Sequence, residues 1–196
     1  MAANDVSFRP ATRADARVIA ELFQISSEGV ADYVWNQLEG PEFEGLELIE
    51  IGTKRYGRED VKFSYQNCDI AEIDGETVGM LHAYVIGDDV GNVPDDIDPV
   101  LRPYAELEEP HSLNISGLAL FDKFRGAGVG TRLLDYAYKR ARAEGVKKIS
   151  LICFVENEAA CRLYKREGFK ERKRAAVVPH PLIKHGGDVV LMVLED

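Results

Sequence analysis

A chain of 196 residues with 24 Lys and Arg against 34 Asp and Glu, a formal net charge of -10, has the length of one ordinary domain, able to bury a core without disulfide or metal support. The acidic balance speaks against a nucleic-acid partner, because such complexes draw much of their affinity from neutralised phosphates; a cationic substrate suits it better. Met1 to Asp5 lacks the basic and apolar regions of a leader, and no apolar run approaches the roughly 18 residues that span a bilayer, so the expectation is a single cytoplasmic domain over 1–196 with no membrane partner.

Val6 to Arg9 alternates as a short strand, and Thr12 is placed to cap a helix from Arg13 to about Ser27 whose apolar side is Val18, Ile19, Leu22, Phe23 and Ile25. A second short helix is expected within Glu28 to Gly40, where Tyr33, Trp35 and Leu38 serve either the core or an acceptor pocket. Glu44 to Tyr56 reads as a further helix, interrupted near Gly52. Cys68 to Ile73 and Thr77 to Ile86 follow as two strands joined across Asp74-Gly75, a strong hairpin signal between alternating apolar runs.

From Gly87 to Pro110 the periodicity stops, and acidic residues and prolines accumulate. This acidic loop is longer than an ordinary connection, which leaves it either a solvated excursion or a lid that gathers substrate. Cys68, Cys153 and Cys161 form no C-x-x-C pair, and His82, His111, His180 and His185 show no ligand spacing, so thiols in a reducing compartment are expected and no metal.

Leu113 to Leu120 then reads as a buried strand, Phe121 to Phe124 as a turn, and Val129 to Glu144 as a helix. Between strand and helix lies Arg125-Gly126-Ala127-Gly128-Val129-Gly130. Glycines there remove the side chains that would block a close ligand, so backbone N–H groups and the positive helix end can face one anion. A Walker A loop needs a lysine that this run lacks, and a dinucleotide fingerprint needs a glycine where Thr131 stands. Within the preceding strand Gly117 marks a bulge or the close approach of another backbone. Downstream, Lys148 to Phe154 is another apolar strand, followed by a helix that Asn157 caps and Gly168-Phe169 ends; strands over Phe169 to Val177 and Asp188 to Leu194 close the sheet.

The loop resembles the R/Q-x-x-G-x-G/A loop of the GNAT superfamily of N-acetyltransferases at Arg125, Gly128 and Gly130, and the downstream segment is similar to the family's N-x-x-A-x-x-x-Y-x-x-x-G-F run at Asn157, Ala160, Tyr164, Gly168 and Phe169. The resemblance is strong over 112–169 and architectural elsewhere. It implies an α/β (α+β) fold with a mixed, mostly antiparallel sheet of six to seven strands, splayed at its centre and flanked by helices. It implies acetyl-CoA as co-substrate, its acetyl group passing to a primary amine, small or peptidic, by direct attack in a ternary complex while coenzyme A leaves as the thiol, with a homodimer as a possible assembly. By the same resemblance the backbone of Leu118, Ala119 and Leu120 binds the pantetheine amide, Arg125 to Gly130 hold diphosphate, Asn157, Ala160 and Tyr164 face the thioester, and Tyr164 is the acid. Some family members carry a carboxylate or histidine on the central strand where this chain has Asn114 and Ser116, so the proton is expected to leave through water toward Glu109 or His111. That departure keeps a second reading open, a catalytically silent acyl-CoA-binding or sensor module.

Overall fold

The computed structural model describes residues 6–88, 90 and 93–195; Met1 to Asp5, Asp89, Gly91, Asn92 and Asp196 lie outside the described residues, and with them the leader reading and part of the acidic loop. The strands are β1 (Ser7–Pro10), β2 (Cys68–Ile73), β3 (Glu76–Ile86), β4 (Ser112–Leu120), β5 (Lys148–Phe154), β6 (Lys170–Ala176) and β7 (Asp188–Glu195). They form one seven-stranded sheet in the order β1-β2-β3-β4-β5-β7-β6. The helices are α1 (Ala16–Ser26), α2 (Val30–Asn36), α3 (Leu48–Tyr56), α4 (Arg102–Ala105), α5 (Val129–Ala143) and α6 (Glu158–Arg166). The expected α/β architecture with a mostly antiparallel sheet and flanking helices is the one observed. The backbone divides into two compact units, Met1–His82 with Gly117–Leu133 and Ala83–Ser116 with Leu134–Asp196.

In the first unit β1 and β3 pair antiparallel with β2, and the hairpin turns at Asp74 and Gly75, with φ of 52° and 78°. Two successive left-handed residues match the twist of the strands they join, which is why Asp-Gly marks the turn in the sequence. Asp15 anchors the start of α1: its carboxylate accepts from Thr12 N at 2.7 Å and pairs with Arg9 Nη2 at 2.8 Å. The Arg9 hydrogen bond is the main reason its pKa falls to about 2. Helix α1 buries Ile19, Leu22 and Phe23, and its ring stacks on Tyr56 of α3 at 4.4 Å between centroids.

Trp35 is 1% exposed and belongs to this core. Helix α3 is not interrupted at Gly52, contrary to the expectation from the sequence: a Cβ on Gly52 would stand 2.7 Å from the Trp35 ring, so the glycine makes room for an aromatic side chain. Gly117 is likewise faced by the Phe23 ring, 3.0 Å from where its Cβ would lie, rather than by another backbone. Gly52→Ala should therefore lower stability. Overpacking against a ring that cannot withdraw costs about 1–3 kcal/mol, more than the roughly 1 kcal/mol that alanine gains over glycine in a helix. Urea unfolding checks this, and a raised midpoint would contradict it.

In the second unit β5 lies antiparallel to β7 along its whole length, and β7 pairs with β6. Strand β4 runs parallel to β5 from Ser112↔Lys148 to Ile115↔Leu151. The middle of β7, Val189 to Val193, is buried on both faces, as its unbroken apolar run requires. Strand β6 is the sheet's edge and is almost wholly exposed, with a register irregularity between Glu171 and Lys173. The acidic loop is more than a solvated excursion: it carries the short helix α4, buries Leu107 to 1% exposure, and is tied by Arg102 Nη2 to Asp95 O at 2.9 Å and by Lys173 Nζ to Glu106 O at 2.8 Å.

Candidate active site

In the first unit the alternation of β4 puts Ala119 in the core and leaves Leu118 and Leu120 half-buried. Phe121 N donates to Val78 O at 3.0 Å, which fixes the chain as it leaves the strand. A single 3-10 turn over Asp122–Phe124 then buries Phe124 and delivers the loop. Arg125, Gly126, Ala127 and Gly128 are exposed, Val129 is buried as the first residue of α5, and Gly130 is half-buried. Gly126 and Gly128 have φ of 78° and 82°, left-handed values that side chains with a Cβ adopt only at a cost. Arg125 Nη2 rests 3.2 Å from Asp122 Oδ1, an exposed contact that an incoming anion can exchange at little cost. The first amides of a helix have no intrahelical acceptors, and the dipole of this 15-residue helix adds positive potential at the same end. Loop and helix start together have the chemistry of an anion cradle.

The second unit holds the other named residues. Asn157 caps α6, its Oδ1 accepting from Ala160 N at 3.2 Å. Gly168 takes φ of 93° and Phe169 N donates to Tyr164 O at 3.0 Å, so the sequence's start and stop signals both act on this helix. Tyr164 is 9% exposed and packs edge-on against Phe169 at 5.8 Å. Burial, reinforced by the nearby Cys153 and Cys161, holds its phenol well above the ordinary range, so it remains protonated.

The two candidate proton acceptors sit differently. The Glu109 carboxylate is clasped by Lys148 Nζ at 2.5 Å, both side chains being half-buried. His111 adopts φ of 54° and stands exposed, its Nε2 3.0 Å from Asp88 Oδ1. Glu109 is thus held within an ion pair, whereas His111 stays on the loop surface.

A buried polar chain joins the strands beside them. Ser112 Oγ donates to Glu109 O at 2.7 Å and lies 2.7 Å from Ser150 Oγ, which also reaches Asn114 Oδ1 at 3.3 Å. A hydroxyl has one proton, so with that of Ser112 on Glu109 O, the proton of Ser150 is shared between Ser112 and Asn114. The Asn114 side chain in turn hydrogen-bonds Tyr84, whose pKa is pushed up to about 12, chiefly by burial and then by Glu108. Tyr84 was not singled out from the sequence. Its only signal is a position within the alternation of β3, and the partners come from other strands. Among the described residues no group of three or more His, Cys, Asp or Glu is placed to hold a metal ion, and no helix is long and apolar enough to cross a membrane.

The model of the acetyltransferase (GNAT) family matches residues 31–169. An uncharacterised N-acetyltransferase of Methanocaldococcus jannaschii is 32% identical over 95 residues, 48% of this chain and 40% of that protein. One of Bacillus subtilis is 35% identical over 69 residues, 35% of this chain and 44% of that protein. The chain thus spans less than half the length of these curated relatives. Among solved structures, an N-acetyltransferase from Staphylococcus aureus Mu50 superposes with a TM-score of 0.64 at 21% identity, over 96% of this chain and 100% of that one. A GNAT family acetyltransferase from Elizabethkingia anophelis with acetyl-CoA bound gives 0.58 at 15% identity, over 98% and 99%. These similarities in structure concern the fold. The family model covers well over half of the chain, including both the glycine loop and the Asn157 to Phe169 run, and the chain belongs to the GNAT family of acetyltransferases.

Proposed function

We propose that the protein, working as one N-acetyltransferase domain, transfers the acetyl group of acetyl-CoA to a primary amine, small or peptidic. The observation that carries this reading is the exposed Arg125–Gly128 loop, left-handed at both glycines and running directly into α5. Its chemistry fits a diphosphate, and a related fold from Elizabethkingia anophelis has acetyl-CoA bound. The bound coenzyme supplies an activated thioester; everything else falls to residues of this chain.

Arg125 and the amides at the start of α5 hold the diphosphate and set the register of the pantetheine arm. The backbone of Leu118 to Leu120 offers hydrogen bonds to the arm and a donor to the thioester carbonyl, where negative charge gathers during attack. Asn157 and Ala160 fix the first turn of α6, and Tyr164, kept protonated by its burial, presents a hydroxyl to the departing sulfur. The ammonium proton leaves by water toward Glu109 or His111. Of the two, His111 is the more accessible and lies beside Asp88, whereas Glu109 is already paired with Lys148.

That last pairing favours a second reading, a silent acyl-CoA-binding module, since Asn114 and Ser116 do not titrate and the nearest strand-end carboxylate is engaged. Incubation of the protein with acetyl-CoA and a panel of amines, the products read by mass, separates the two. Acetylated product is expected, most readily from cationic amines, and their apparent second-order rate should fall as salt rises, because exposed charges are screened over about 8–10 Å at 0.1–0.15 M. Coenzyme binding without turnover on any amine would establish the silent module instead.

A further inference from the structure

Beside Tyr164 stand two thiols that the proposed reaction does not use. Cys153, buried near the end of β5, and Cys161, half-buried in α6, approach to 3.4 Å between sulfurs. Both point at one acceptor, the Phe154 carbonyl, 3.4 Å from each. Cys161 also lines a surface depression of about 380 Å³ with Arg162, Lys165 and Arg174, which gives a small oxidant a path to it. Cys68, by contrast, is 2% exposed.

We propose that Cys153 and Cys161 form a reversible intramolecular disulfide whose closure displaces the turn of α6 that carries Tyr164; its effect on turnover rests on the reading of Tyr164 as proton donor. With hydrogen peroxide as oxidant, the Cys161 thiolate attacks one peroxide oxygen, the O–O bond breaks, and hydroxide leaves to become water. The Cys153 sulfur then attacks the resulting sulfenic acid, the S–S bond forms, the S–O bond breaks, and a second hydroxide leaves and is protonated. Two thiols lose two electrons and two protons, and the peroxide departs as two waters.

Closure must bring the sulfurs from 3.4 Å to a bond length near 2.05 Å, a movement of about 1.3 Å. Strand β5 is held by β7 from Lys148↔Glu195 to Phe154↔Val189, so the part of the movement that side-chain rotation does not take up falls on α6. Tyr164 follows Cys161 by three residues and therefore shares its side of the helix. A shift of that size at a reacting group is large enough to slow catalysis by an order of magnitude or more.

The test treats the intact reduced protein with one equivalent of peroxide, labels remaining thiols with N-ethylmaleimide after unfolding, and maps tryptic peptides by mass. The peptide 149–162 should lose two hydrogens and take no label, Cys68 should take label, and dithiothreitol should restore both labelling sites in 149–162. A labelled or sulfinic form of 149–162 without that loss would overturn the site. Acetyl transfer should fall on the order of 10-fold on oxidation and return with dithiothreitol, while Cys161→Ser should keep its rate throughout. Amide hydrogen exchange over 160–164 needs no acceptor amine: it should change on oxidation in the wild-type protein and stay constant in Cys161→Ser. Unchanged exchange in the oxidised wild-type protein would overturn the displacement. A linked protein with altered exchange in which Tyr164→Phe transfers acetyl at the wild-type rate would leave the dithiol site standing and remove the proton-donor reading instead.

Discussion

Tyr164→Phe should lower acetyl transfer by on the order of 10²-fold or more, the usual range for a lost general acid, while the fold and the affinity for coenzyme A stay close to wild type. A reference phenol has a pKa near 10 and a thiol near 8.5, and burial raises the phenol of Tyr164 further. It is therefore the weaker acid in the ground state and gives up its proton only as charge accumulates on sulfur, when a positioned hydrogen bond strengthens most. The same raised value keeps the donor loaded: no alkaline loss of rate from this group should appear up to about pH 10. Phenylalanine retains the ring that packs against Phe169, so stability should change by about 1 kcal/mol at most. The loss should shrink for acyl donors whose leaving thiol is more acidic. Wild-type turnover by the variant with a verified acceptor would make Tyr164 a packing residue.

Gly128→Val should weaken coenzyme A binding by on the order of 10²-fold, measured by calorimetry. Two effects act together. A β-branched residue at φ of 82° carries strain of about 1–3 kcal/mol, and its side chain occupies the space in which the backbone has to approach phosphate. The position is exposed, so little of the core is disturbed and circular dichroism should show the helices intact. Unchanged affinity in a folded variant would take the loop out of the binding site. Arg125→Ala should cost less, about 10-fold, because its guanidinium is exposed and its charge is screened by water, while the backbone amides of the loop remain in place.

What could be read from the chain alone was its backbone punctuation. Asp74-Gly75, Asn157 and Gly168 each encode a local conformation that the surrounding residues do not need to supply, and each takes that conformation in the structure; Gly126 and Gly128, read in the sequence for the room they leave, are left-handed as well. Gly52 shows the limit of this reasoning, since a glycine inside a helical pattern signals either a break or a neighbour too large for a Cβ, and only the packing of Trp35 decides. The polar chain Ser112, Ser150, Asn114 and Tyr84 was hidden for a different reason. Its partners come from three strands and meet only once the sheet is assembled, as do Glu109 and Lys148, which lie 39 residues apart. No local pattern carries such pairings.

The exposed border strand β6 bears on how copies of this chain behave at high concentration. An unpaired strand edge is a template on which another polypeptide can add itself. Here the edge reads Lys170-Glu171-Arg172-Lys173-Arg174, with side chains tied sideways to Glu171, Asp188 and Glu195. A second β6 docked alongside would set cation against cation and strip water from charges that its own chain already satisfies, and the register irregularity between Glu171 and Lys173 spoils the regular ladder it would need. Strand-to-strand polymerisation through this border is thus disfavoured by the chain's own chemistry.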